Sequence, residues 1–520
     1  MDDASVRRLD LRLHATRTPS HPAIVCGDVR LSYAELEALA NRIANVFRGL
    51  GLQRGAHVAS LLGNRPEALA VAWGAYRCGL YLTPLATTLA PAELAYLVGD
   101  CDARAVIADA ALEALAAPLA ADSAGGIHRL SFGGSIAGFT PIEPLIAAAA
   151  ATPHEAECAG ALMVYTSGTT GAPKGVHRPL PPPDFAGTPA FAADLHTLFG
   201  LGDPGVRYLS TAPLYHAAPL RFALAVTAGG GTVHVMDRFD ARAALDLLQQ
   251  HAITHSQWVP TMFQRLLALP PEQRRTFSAP HHRVAVHGAA PCPVDIKRAM
   301  IDWWGPILFE YYSGSEGVGL TLIDSTEALA HPGSVGRARK GVVHILDAAG
   351  HELPAGETGV VHFSGVKPFA YYKAPEKTAA KTSPQGWQTF GDMGHLDADG
   401  WLYLTDRQDD MIISGGVNVY PQEIEAAMRE VPGVWECAVV GVSDERFGER
   451  PVAFVVAERD AAHDGDALLE RVRAHNRERL GRLKQPDQIH LIDSLPRSAT
   501  GKVLRRQLRE LLNTTRRKDS

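Results

Sequence analysis

Apolar positions alternate between two periods along the first third of the chain. Residues 33–50 follow Ser32, a good helix N-cap, and set Leu36, Leu39, Ile43, Val46 and Phe47 at helical spacing. Residues 57–62 form a short apolar run that reads as a strand. The segment 65–78 reads as a helix, with Pro66 in its first turn and Gly79 beyond its end. A strand at 80–84, a helix at 91–98 and a strand at 105–107 continue the pattern. Such alternation predicts parallel strands joined by crossover helices. It returns after Arg207, with strands expected at 231–235 and 283–287.

From 342 to 363 the period shortens. Asp347-Ala-Ala-Gly350 and Asp397-Ala-Asp-Gly400 read as hairpin turns, so a β-rich subregion is expected. After Asp410 a small α/β unit follows, with helices at 421–430 and 466–480 and strands at 438–442 and 452–456. Residues 147–151 read as a low-complexity alanine connector, and 513–520 as a frayed basic end.

Composition narrows the class. At roughly 100–200 residues per domain, the 520 residues make several packing units, more than a small binding module. A net charge of −6 leaves no electrostatic footprint for nucleic acid or an anionic membrane. The six cysteines contain no C-x-x-C pair and are too sparse for a disulfide scaffold, which favours a reducing cytoplasm. Residues 1–17 lack the pattern of a signal peptide. No apolar run reaches the roughly 18 residues of a membrane helix.

The most informative stretch is 165–176. Strand-like residues 161–165 break into Thr166, Ser167, Gly168, Thr169, Thr170 and Gly171. Glycines let backbone N–H groups turn toward an anion and hydroxyls add donors, so the loop suits a polyphosphate, with Lys174 supplying charge. It is not a Walker A loop, because Pro173 precedes the lysine and neither Ser nor Thr follows it. The loop resembles the phosphate-binding signature of the adenylate-forming enzymes: acyl- and aryl-CoA synthetases, firefly-type luciferases and peptide-synthetase adenylation domains.

The resemblance extends in order from about 18 to 511. The segment 310–317 resembles the family's Y-G-x-T-E motif, with Tyr312, Ser315 and Glu316 in the aromatic, hydroxyl and carboxylate places and the glycine displaced to Gly314. This implies adenine against Tyr312, the α-phosphate at Ser315, and Mg²⁺ held by Glu316 and Thr166. The segment 386–392 resembles G-W-x-x-T-G-D, with Phe390 where threonine is common, and implies that Asp392 accepts the ribose hydroxyls. Arg407 matches the second ribose residue, with Asp406 in place of the usual glycine. His216, Ala217, Gly288, Ala289 and Gly314 match segments lining the acyl site, and His216 also stands in the catalytic set with Glu316. Gln257 or Trp258 is expected on the wall of that pocket, which small residues suggest is open and apolar.

Asp409 takes the hinge place. Gly415 and Gly416, within a loop similar to the acyl-CoA synthetase form, imply a path for the arm of coenzyme A. Phe447 reads equally as a residue stacking on CoA or as a strand-edge aromatic. Lys502 matches the adenylation lysine.

The fold class implied is α/β: a large N-terminal domain (1–408) of α/β sheets with a β-subdomain, and a small mobile C-terminal α+β domain (409–520). The implied activity is an ATP-dependent acid–thiol ligase that makes acyl-CoA through acyl-AMP, using ATP, Mg²⁺ and coenzyme A. Its partner is a small-molecule carboxylic acid, either a fatty acid or an aryl or phenylpropanoid acid, with the chain a monomer or homodimer in the cytoplasm. Two other readings are carried: an adenylating enzyme that delivers to a carrier protein, and a non-catalytic ligand-binding homologue.

Overall fold

The computed structural model describes residues 10–120, 126–166, 173–182, 190–408, 410–414, 417–444, 446–458, 464–497 and 503–516. Local signals set the first elements. Ser32 Oγ accepts the Glu35 N–H while the Glu35 carboxylate accepts the Ser32 N–H, a capping box that starts the helix Tyr33–Gly49. Leu36, Ile43, Val46 and Phe47 are buried along one face. The helix Pro66–Arg77 starts on its proline, and beyond it Gly79 turns in the left-handed region at φ +66. A Cβ there would lie 2.6 Å from Cys158 Sγ, so the turn requires glycine.

The alternation builds two large sheets. One is wholly parallel, in the order Thr140–Pro141, His128–Phe132, Ala103–Asp109, His57–Leu61, Tyr81–Pro84, Ala161–Leu162. His57–Leu61 is buried at every position, as a central strand covered on both faces must be. The other has nine strands. Its parallel centre runs Leu308–Tyr312, Val284–His287, His255–Trp258, Arg207–Ser210, Thr232–Val235, Pro22–Cys26, and antiparallel strands close both edges. Residues of the helices Tyr33–Gly49, Pro66–Arg77 and Ala217–Gly229 share one core with strands of both sheets.

The β-rich subregion is an antiparallel sheet of Val342–Leu346, Gly359–Ser364, Gln388–Leu396 and Leu402–Arg407. The 397–400 turn joins two of its neighbours directly. The 347–350 turn does not. Asp347 Oδ1 accepts the N–H groups of Ala349 and His351, and this local turn leads only to a bridge between Leu346 and Glu352 before a longer return to Gly359. The alanine connector is clasped from the first long helix. Arg42 donates to the carbonyls of Ile146, Ala147 and Ala149, and Asn45 to those of Ala150 and Thr152.

The C-terminal unit holds Val417–Val419, Ile412–Ser414, Gly448–Ala457 and Val434–Asp444, with Gln488–Leu491 parallel to the third strand. Its helices Pro421–Arg429 and Gly465–Arg479 bury Ile424, Met428, Leu468 and Val472 in a core of its own. Among the described residues no helix is long and apolar enough to cross a membrane.

Candidate active site

Strand pairing assembles one end of the site. Asp392 and Arg407 are direct antiparallel partners, and Arg407 Nε lies 3.2 Å from Asp392 Oδ1. The Tyr312 hydroxyl, from the nine-stranded sheet, donates to Asp392 Oδ2 at 2.7 Å. Burial opposes the charge on Arg407, but Asp392, Tyr312 and Glu316 outweigh it and raise its pKa. Burial, then the Asp392 charge, hold the Tyr312 phenol well above its ordinary range. Asp392 is therefore a fixed acceptor, held by two donors and suited to a sugar diol. Tyr312 packs its ring edge-on to Phe390, centroids 5.4 Å apart.

Two sequence departures explain each other here. A Cβ on residue 314 would lie 2.5 Å from Phe390 Cδ1 and 2.9 Å from Glu316 Oε2. A large ring at 390 thus requires the displaced glycine at 314. The turn continues with Gly317 N–H donating to Gly314 O at 3.0 Å, and Gly317 adopts φ +58. Ser315 is half-buried within this turn.

Glu316 meets the phosphate end through a third sheet. Thr166 pairs with Lys174 across a hairpin, and Val176 pairs in turn with Tyr371. The Tyr371 hydroxyl donates to Glu316 Oε1 at 2.8 Å, and Lys174 Nζ stands 5.2 Å above the Tyr371 ring. No sequence signal marked Tyr371; the strand pairing alone brings it in. Ser167, Gly168, Thr169, Thr170 and Gly171 lie outside the described residues, as do Asp409, Gly415, Gly416 and Lys502.

Of the residues expected on the acyl side, His216 and Ala217 stand at the start of the helix Ala217–Gly229. His216 caps it from outside, and burial lowers its imidazole to about 4, so the ring is neutral at pH 7. Its Nε2 is buried with no hydrogen-bond partner among the described residues. Ala217 packs on the same cluster of Val318, Phe363 and Phe390 as Tyr312. Gly288 abuts Tyr311: a Cβ there would lie 2.8 Å from the Tyr311 carbonyl oxygen. Ala289 takes the left-handed region at φ 71. Gln257 Nε2 reaches the Tyr311 hydroxyl at 3.4 Å. Trp258 is core, 1% exposed beside Phe263 and Trp304, because strand alternation turns it to the opposite face.

A hydrogen bond accepted by Asp406 joins the strand Leu402–Arg407 to the helix Pro421–Arg429, and an ionic cluster follows within the C-terminal unit. Asp406 accepts the Arg407 N–H at 2.7 Å and the Gln422 N–H at 3.0 Å, the latter in the first turn of Pro421–Arg429. Asp410 lies 3.5 Å from both Arg505 NH1 and Arg509 NH2, and Arg505 NH2 lies 2.7 Å from Glu425 Oε1. Phe447 is half-exposed, with the guanidinium carbons of Arg446 and Arg450 5.1 and 4.6 Å from its ring centroid.

The chain is similar to known proteins over nearly its whole length. Residues 11–372 match the AMP-binding enzyme family, and residues 423–502 match the AMP-binding enzyme C-terminal domain. A long-chain-fatty-acid–CoA ligase of Mycobacterium tuberculosis is 34% identical, covering 97% of this chain and 98% of its own. A feruloyl-CoA synthase of an Amycolatopsis species is 32% identical, covering 97% of each. The ATP-bound crystal structure of MatB from Rhodopseudomonas palustris superposes with a TM-score of 0.81 at 30% identity, over 96% of this chain and 99% of that one. The chain therefore belongs to the AMP-binding, adenylate-forming enzymes, in their acyl- and aryl-CoA ligase branch.

Proposed function

We propose that this enzyme joins a carboxylic acid with an alkyl or aryl body to coenzyme A in two steps at one cleft. An oxygen of the acid's carboxylate attacks the α-phosphorus of ATP, forming acyl-AMP as pyrophosphate leaves. The CoA thiol, losing its proton, then attacks the acyl carbon, forming the thioester as AMP leaves. The observation that carries this reading is the convergence on Asp392, Glu316 and the Thr166–Lys174 hairpin of three separate sheets.

Each residue has a task. Asp392 and Arg407 hold the ribose, Tyr312 orients Asp392 and faces the adenine, and Ser315 reaches the α-phosphate. Ser167, Gly168, Thr169, Thr170, Gly171 and Lys174 hold the β- and γ-phosphates. Glu316 suits a magnesium ion, since Tyr371 occupies Oε1 and leaves Oε2 for a ligand, and the Thr166 hydroxyl is the second group assigned to it. Bound Mg²⁺ screens the phosphate charge. Neutral His216 offers the acid's carboxylate a hydrogen bond without fixing a cation there. Lys502 neutralises charge developing at phosphorus. Rotation about Asp409 then withdraws it and brings Gly415 and Gly416 to the pantetheine arm, with Phe447, Arg446 and Arg450 toward the CoA nucleotide.

The relatives named above act on a long-chain fatty acid and on ferulate, which supports both acid classes. The test is a panel of fatty and aryl acids with MgATP, with and without CoA, reading AMP and acyl-CoA. Acyl-CoA made only when CoA is present is expected. AMP formation that never responds to CoA would reject CoA as the acceptor.

A further inference from the structure

Arg221 is the one charged side chain of the helix Ala217–Gly229, between buried Leu220 and Phe222. Its guanidinium makes no hydrogen bond or ion pair among the described residues, yet the residue is only partly exposed. It lies one helical turn beyond Ala217, which packs on the cluster under Tyr312. Phe222, next in sequence, has its ring centroid 6.2 Å from that of Tyr311. The charged and polar groups whose fields reach Arg221 are Arg178, Tyr311 and Glu316. Burial, and then Arg178, lower its pKa to about 10.

Arg178 is short of acceptors as well. Its NH2 donates to the Glu316 carbonyl oxygen at 2.6 Å, while its Nε is buried with no partner. Its head group occupies the space a Cβ on Gly317 would take, so it is held against the site. Among the described residues, the carboxylate whose field reaches both arginines is Glu316, already bonded to Tyr371, while Asp194 also acts on Arg178. Polar groups continue along this wall: Gln257 bridges the Tyr311 and Tyr208 hydroxyls at 3.4 and 3.3 Å. Charged and polar groups thus stand among the small residues of this segment. A partly buried cation with no bonded carboxylate costs stability. Guanidinium forks match planar oxyanions.

The geometry points to Arg221, supported by Arg178, as the specificity determinant for a second anionic group on the acid. The substrate class is a carboxylic acid bearing another carboxylate or a sulfonate beyond its reacting carboxyl. This rests on the ligase reading above.

The test compares matched pairs, hexanoate with adipate and 3-phenylpropanoate with its para-carboxylate and para-sulfonate, by pyrophosphate release with MgATP. Wild type favours the doubly charged member. Arg221→Met lowers the ratio of kcat/KM, charged over neutral, by about tenfold or more, the scale of losing a charged hydrogen-bond partner. Arg221→Lys gives an intermediate ratio, since it keeps the charge and loses the fork. An unchanged ratio overturns the assignment. Equal loss on both members also overturns it, by placing Arg221 on the reacting carboxylate or the α-phosphate. Thermal protection of wild type and of Arg221→Met by the same acids separates the two readings. Protection of wild type alone by the charged acids, without turnover of any acid, keeps the site and rejects the ligase. Neither protection nor turnover rejects both.

Discussion

Asp392 shows how a single side chain is prepared for its ligand. Two donors from two sheets hold it before any nucleotide arrives, so little ordering remains to be done on binding. Asp392→Asn keeps the shape and loses the charge. The expected result is a rise in KM for ATP of roughly tenfold or more, with thermal stability little changed, checked by initial rates across an ATP titration. An unaltered KM would remove Asp392 from the ribose site. At this scale the sequence singled out Tyr312, Glu316, Asp392 and Arg407 because each stands in a motif with its own chemistry, and the fold brings them together. It carried Tyr371, Arg178 and Arg221 poorly. Their meaning comes from which strand or helix lies beside them, and no local pattern encodes that.

Among the elements, the strand Leu402–Arg407 and the helix Pro421–Arg429 are joined by the Asp406 carboxylate. Burial raises Asp406 from its ordinary 3.8 to about 6, partly offset by Arg505 and by the N–H groups it accepts. A carboxyl raised on folding binds more protons folded than unfolded between these two values. Stability therefore falls as pH rises from about 4 to about 6, and the deficit persists above that window. Asp406→Asn still accepts the Gln422 N–H but carries no charge. It should flatten the dependence across this window, by about 1–3 kcal/mol, in urea melts at stepped pH. An identical slope in the variant would show that Asp406 does not titrate there. Element types were legible from apolar period and from caps such as Ser32 and Pro66. The 347–350 turn reverses the chain into an antiparallel bridge between Leu346 and Glu352, as its residues suggest, but the main pairing resumes only at Gly359, which the turn residues alone do not encode.

For the whole molecule, the two-step scheme requires the C-terminal unit to present different faces in turn. Lys502→Ala should slow acyl-AMP formation by roughly 10²-fold or more and largely spare CoA attack on acyl-AMP supplied ready-made. Pyrophosphate release at the wild-type rate would show that Lys502 has no part in adenylation. The sequence suggests two units through the change of pattern near Asp410, and two family models match on either side of it. It did not indicate that three sheets meet at one cleft, since periodicity names strands without saying which sheet takes them. The pairing of Val176 with Tyr371 also bears on how the protein is made. During synthesis the phosphate hairpin leaves the ribosome roughly 200 residues ahead of that partner, about 10–40 s at ordinary elongation rates. Until then the hairpin has no third strand and Glu316 no tyrosine. If Asp392 and Arg407 hold the ribose as proposed, nucleotide acts as a folding ligand only for a chain already read past Arg407.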